Sequence, residues 1–215
     1  MKRLRHLLAI TLVVAAVLGF FTWYKLFRRV PTVYADPVEH FKYGSIGVEA
    51  PAGIPYWIWV VLPRVFADKL PGSGGYVALG ATWEMGKELP VGFTKEVIGF
   101  ERVGVNCAGC HSASVREDRN APPQLYLAAA SSRFQPQGYV RFLFACAHDL
   151  RFNPETIMKA ILDIYDMSLI DRVLYRYLII PATRSQLLRA ESENYYWMRE
   201  RPDWGPGRTD MNPFQ

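Results

Sequence analysis

Cys107-Ala108-Gly109-Cys110-His111 reads as C-x-x-C-H, two thiols three positions apart with an imidazole directly after the second. This is the spacing of a c-type haem attachment signal. The thiols add across the two vinyl groups of the porphyrin, so their separation has to match its edge. The histidine that follows lies under the iron as the proximal ligand. Cys107 and Cys110 are therefore expected to bind one haem c covalently, with His111 on its iron. Two other chemistries use the same letters. A structural zinc site takes four ligands, usually from two paired clusters, but Cys146, His6, His40 and His148 are all that remain, with no second C-x-x-C. A thioredoxin-like redox pair needs a βαβ context that the flanking residues do not suggest.

Haem attachment of this kind takes place outside the bacterial cytoplasm, and the front of the chain fits that route. From Leu7 to Tyr24 the stretch LLAITLVVAAVLGFFTWY carries no charge, near the lower limit for a helix that spans a bilayer. Lys2, Arg3 and Arg5 precede it, Trp23 and Tyr24 sit at its far end, and Lys25, Arg28 and Arg29 follow. Balanced flanking charge does not set the orientation; the haem does, with the N-terminus cytoplasmic and residues beyond 30 periplasmic, on the bacterial inner membrane. The competing reading is a signal peptide cut after Val33-Tyr34-Ala35. The basic and aromatic residues between 23 and 30 separate that site from the apolar run, which favours an uncleaved anchor. The formal net charge of +5 includes six Lys/Arg from residues 1–30, leaving −1 for the rest. The basic balance is thus a membrane-topology signature and not a nucleic-acid-binding surface.

The remainder is long enough for one ordinary domain. The expected fold class is mainly α: the anchor over 1–30, an irregular segment rich in Pro, Gly and aromatics over 31–100 packed on the haem domain, and a helical, cytochrome c-like single-haem domain over 101–215. Pro51, Pro55, Pro63, Pro71 and Pro90, with Gly72, Gly74 and Gly75, restrict the middle segment to short helical turns and loops. Ile54–Leu62 is strongly apolar but too short to span. It is read as core or as cover for a haem face, in preference to an interfacial segment. Gly80–Val105 reads as loop with short strands. After the motif the periodicity is helical. Gly138–Asp149 forms one helix, and Asn153-Pro154 caps a second that buries Ile157, Ala160, Ile161 and Ile164. Ser168 caps a third, ending before Pro181, with Leu169, Val173, Leu174 and Tyr177. Thr183–Gln186 is a capping-box pattern that starts a fourth, running to about Arg199; Trp204–Gly207 follows it.

What fills the second axial position of the iron decides between electron transfer and reaction with peroxide or oxygen. Candidates after the motif are His148, Met158, Met167, Met198 and Met211; His40 and Met85 precede it. A methionine on a helix also serves as core filler, and His148 near a helix end also serves to cap carbonyls. Arg102, Arg116 and Arg119 flank the motif and suit haem propionates; solvated surface charge is the other reading. Cys146 reads as a small buried thiol.

Four strings resemble a known group: HFKYGSIG (His40–Gly47), PYWIWVVLPRVF (Pro55–Phe66), GFERVGVNCAGCH (Gly99–His111) and WGPGR (Trp204–Arg208). They are similar to the N-terminal halves of bacterial c-type cytochromes related to di-haem cytochrome c peroxidases and, more distantly, to rubber oxygenases. The resemblance implies thioether links at Cys107 and Cys110 and a proximal His111. Members of that group carry a second C-x-x-C-H, whereas this sequence has one, so two-haem peroxidase activity does not carry over. The expected function is a membrane-anchored single-haem cytochrome that passes electrons to a redox partner protein or complex in the periplasm. The alternatives are the haem half of a peroxidase- or oxygenase-like enzyme and an accessory subunit of a larger membrane complex.

Overall fold

The computed structural model describes residues 2–118, 121, 124–129 and 132–202. Arg119, Met211 and the WGPGR string lie outside them. The chain opens with helix α1 (Lys2–Leu26), in which no residue is buried. At 1.5 Å per residue it is about 37 Å long, more than the hydrocarbon thickness of a bilayer. Thr11 and Thr22 donate to the carbonyls of Leu7 and Leu18 at 3.0 and 2.8 Å, so their hydroxyls are satisfied within the helix. By length and composition α1 is long and apolar enough to cross a membrane, as a membrane anchor or a signal sequence would be.

A four-stranded antiparallel sheet takes over directly, in the order β1 (Arg29–Val30), β3 (Phe93–Ile98), β4 (Phe100–Val105), β2 (Ile54–Pro55). Gly99 makes the β3–β4 turn at φ 71°. A Cβ there would come within 2.4 Å of the Leu26 backbone. Glycine is required on both counts, for the turn and for the passage of the end of α1. Buried Glu96 on β3 accepts from Arg29 of β1 at 2.9 Å, which ties the strand after α1 into the sheet. The hairpin crosses residue 100, so the Pro- and Gly-rich segment and the residues after it share one sheet.

The apolar Ile54–Leu62 run becomes β2 and helix α3 (Tyr56–Val65), with Ile58, Val61 and Leu62 fully buried. It is core, not interface. Pro63 lies inside α3 and has no N–H for the Trp59 carbonyl four residues earlier. The Tyr76 hydroxyl supplies the missing donor at 2.7 Å. The Tyr76 and Trp59 rings stack at 4.4 Å, and Phe93, Phe134, Tyr139 and Phe142 extend this aromatic core.

The second half holds α4 (Pro136–His148), α5 (Pro154–Leu162), α6 (Leu169–Leu174) and α7 (Ile180–Glu193). The Asn153 side chain accepts from Thr156 N at 3.0 Å and Ser168 from Asp171 N at 3.1 Å, as N-caps should. Pro181 does not end a helix, and Thr183 does not begin one. Residues 175–179 form a π turn, with Ile180 N–H bonded to the Tyr175 carbonyl, and the chain stays helical from Leu169 to Glu193. Proline's ring would crowd the Tyr177 carbonyl in a regular helix, and the wider π turn relieves that contact. The Thr183 hydroxyl instead donates to the Ile179 carbonyl at 2.7 Å, buried. The α-helix stops at Glu193, and a separate 3-10 turn covers Tyr196–Arg199. Helix makes up 53% of the structure. A mainly α class holds in outline, with two small sheets added.

Candidate functional site

β4 delivers the motif. Asn106 follows it in extended backbone, and its Oδ1 accepts from Ala108 N at 2.9 Å, capping a 3-10 turn over Cys107–Gly109. The Cys107 carbonyl then accepts from Cys110 N at 3.2 Å and His111 N at 2.9 Å. Both thiols and the imidazole are thereby held on a single turn. Cys107 and His111 are exposed and Cys110 partly so, while Ala108 and Gly109 are buried. The reactive side chains face outward and the two small spacers face the protein. Chain then continues into a hairpin of β5 (Ser112–Val115) and β6 (Gln124–Leu127). Ser112 Oγ donates to the Ala108 carbonyl at 2.6 Å.

Two earlier segments form the platform beneath this turn. Helix α2 (Pro37–Tyr43) is capped by Asp36, whose side chain accepts from Val38 N at 2.9 Å. Asn106 Nδ2 donates to the carbonyls of Phe41 at 3.0 Å and Gly44 at 2.9 Å, so one buried amide joins α2 to the motif. Gly92, at φ 87°, lies so close that a Cβ would come 2.1 Å from the Gly109 backbone. Its N–H bonds to the Lys42 carbonyl and its own carbonyl takes Asn106 N–H, both at 2.9 Å. In the loop before it, Glu84 accepts from Lys42 Nζ at 2.8 Å and Tyr43 OH at 2.6 Å. Burial alone would raise the Glu84 pKa, but these two donors outweigh it and hold the carboxyl below its ordinary range. Burial, then Glu84, pushes the Tyr43 phenol up, so it stays a donor. Tyr43, Val91 and Ala108 make a small apolar cluster here, with Tyr34, Phe41 and Leu125 around it.

The other candidate residues are placed elsewhere. Met158 and Met167 are buried in the main core, separate from the cluster around Ala108. His148 is exposed, with Nε2 2.6 Å from Glu191 Oε2. Met198 is also a core side chain. His40 and Met85 are closer in the fold to the motif: His40 is on α2 and Met85 follows Glu84, both with exposed side chains. Arg102 lies over the Phe100 ring, 4.3 Å from its centre, in a recess at the end of α1. Arg116 donates to the Ala121 carbonyl at 3.0 Å. With Arg133, Ser114, Thr82 and Trp83 it lines a recess of about 260 Å³. Cys146 is fully buried, which pushes its thiol pKa up and leaves it inert.

Sequence reasoning misses Asn106, Gly92, Glu84 and Arg133. An Asn immediately before a tight turn is a recognised cap signal; the other three act through segments remote in sequence. The donor set suits a thioether-linked haem. In such a site the thiols bond vinyl carbons and only the imidazole goes to the metal. Among the described residues, no three His, Cys, Asp or Glu side chains are grouped to hold a metal ion. Comparison with known proteins finds no matching family model, no matching curated relative and no matching solved structure.

Proposed function

We propose that this protein is a membrane-anchored, single-haem c-type cytochrome that carries electrons on the periplasmic side of a bacterial inner membrane. The observation that carries this reading is the motif turn, with Cys107, Cys110 and His111 presented outward and the residues between them buried and hydrogen-bonded. Bound haem supplies a one-electron couple. Cys107 and Cys110 would hold the porphyrin through thioether links, and His111 would supply an iron ligand. Asn106 and Gly92 hold the turn against α2. Arg116 and Arg133, which share a recess with Ser114 of the hairpin after the motif, would be candidates to pair with propionates. Exposure of the turn supports transfer to a redox partner protein, since the haem edge attached there lies near the surface. The α1 helix supports the anchor.

A denaturing gel stained for haem tests the assignment. Covalent haem should be lost completely from the Cys107→Ala, Cys110→Ala double variant, because no other thiol pair has the required spacing. Haem retained by that variant would refute the site. A second reading, a haem-dependent peroxidase- or oxygenase-like enzyme half, is favoured by one observation: His148, Met158 and Met167 are all engaged away from the motif cluster. The absorption spectrum of the reduced protein with and without carbon monoxide separates the two. A closed iron leaves the spectrum unchanged and fits the carrier; a carbon monoxide shift fits the enzyme. Single substitutions of His40, Met85, His148, Met158 and Met167 then identify a ligand, since its loss converts a low-spin spectrum to a high-spin one.

A further inference from the structure

Leu169–Ile179 is a continuous helical run made of α6 and the π turn. Its inner side buries Tyr175 and Ile179. Its outer side is apolar as well: Leu169 and Tyr177 are 77% and 73% exposed, and Ile170, Val173 and Leu178 are each more than two-fifths exposed. A contiguous patch of this kind marks an interaction surface. Its place in the fold says what covers it. Asp171, on the same run, pairs with Lys25 of α1 at 2.9 Å. Leu26 and Phe27, where α1 ends, share a recess of about 170 Å³ with Leu178, Ile179 and Ala182. Residues of α1 up to Tyr24 are exposed along their whole length, whereas Lys25 and Leu26 are partly covered by the body. If α1 crosses a bilayer, the bilayer surface lies at the level of these contacts, and so does the apolar face of 169–179.

We propose that Leu169–Ile179 is a second membrane-contacting element, a helical run whose outer apolar face lies in the phospholipid interface beside the exit of α1 and seats the body on the bilayer. This rests on α1 being a retained anchor. The chemistry of the run fits: leucine, isoleucine, valine and tyrosine enter the acyl boundary, and long cationic side chains reach the headgroups. Arg172 and Arg176 sit on its rim, paired with Asp166 and Glu155. The last turns of α7 show the contrast. The outer surface of α7 carries Arg189 and Glu193, an exposed ion pair.

The test uses the full chain in phosphatidylcholine–phosphatidylglycerol vesicles containing a lipid with a photoreactive diazirine on its acyl chain, with labelled peptides mapped by mass spectrometry. The proposal expects label on α1 and on 169–179, and background label on the peptide holding Arg189–Glu193. Leu169→Glu with Tyr177→Glu, both at exposed positions, should lose the 169–179 label and keep that of α1. Label on α1 without label on 169–179 overturns the proposal and leaves the anchor reading standing. No label on α1 overturns the anchor reading, and this proposal with it. Protection of 169–179 that grows with protein concentration, without lipid label, assigns the face to a second copy and also overturns it.

Discussion

Asn106 shows how much of the site depends on one side chain. Its oxygen caps the motif turn while its amide nitrogen satisfies two carbonyls of the α2 segment. Asn106→Ala removes the cap and leaves buried carbonyls without a donor. We expect a loss of about 1–3 kcal/mol in denaturant unfolding, together with reduced haem attachment. Asn106→Asp keeps the acceptor but turns a carboxylate oxygen toward those carbonyls, so it should be no better than alanine. A stability equal to wild type in either variant would show that the amide is dispensable. Cys107, Cys110 and His111 stand out in the sequence because their spacing is a local pattern. Asn106 sits among them, yet its partners Phe41 and Gly44 lie more than sixty residues earlier, and no local pattern reports them. The methionines are harder still, since Met158 on α5 and Met167 in the loop before α6 read the same in sequence whether they bind iron or fill a core.

At the scale of the element, two contacts replace what the backbone lacks. Pro63 leaves the Trp59 carbonyl without a helical donor and Tyr76 OH fills the gap. Tyr76→Phe should therefore cost about 1–3 kcal/mol by thermal or denaturant unfolding. In a Pro63→Ala background the helix N–H returns, and the same change should cost much less. Equal costs in both backgrounds would separate the hydroxyl from the proline. The loop carrying Glu84 depends on pH instead. Its carboxyl sits below the ordinary 4.5 in the folded state, so the pairing with Lys42 and Tyr43 stabilises fully above pH 4.5 and is lost as pH falls through the folded value. Glu84→Gln should be less stable than wild type near neutrality, and the two should converge in acid. A constant difference from pH 7 to 3 in urea midpoints would refute the linkage. Caps such as Asn153 and Ser168 are readable because they are local; the π turn is not, since Pro181 ends helices on its own and only the packing of Tyr175 and Ile179 carries the chain past it.

At the scale of the molecule, the helical second half follows from its periodicity, whereas the four-stranded sheet has strands as short as Arg29–Val30 and Ile54–Pro55. Two residues carry no period, and their pairing is decided by β3 and β4. The anchor is the remaining whole-molecule expectation. The full chain should stay with membranes through alkaline carbonate washing and keep its own N-terminus, because a 25-residue helix with an uncharged run from Leu7 to Tyr24 inserts effectively irreversibly. N-terminal sequencing that starts at Asp36, with release of soluble protein, would replace the anchor with a leader.

Only Phe27 and Arg28 separate the end of α1 from β1, and Gly99 closes the sheet directly onto Leu26. Two extended residues reach about 7 Å, and here even that span is pinned by the strand pairing. A cytochrome on a long tether sweeps a wide volume and delivers its electron by swinging between donor and acceptor. The connection from α1 to the body of this protein has no such slack. Under the carrier reading its encounters are set by lateral diffusion in the plane of the membrane, and a partner has to present its own redox centre at the one fixed height where the haem edge stands.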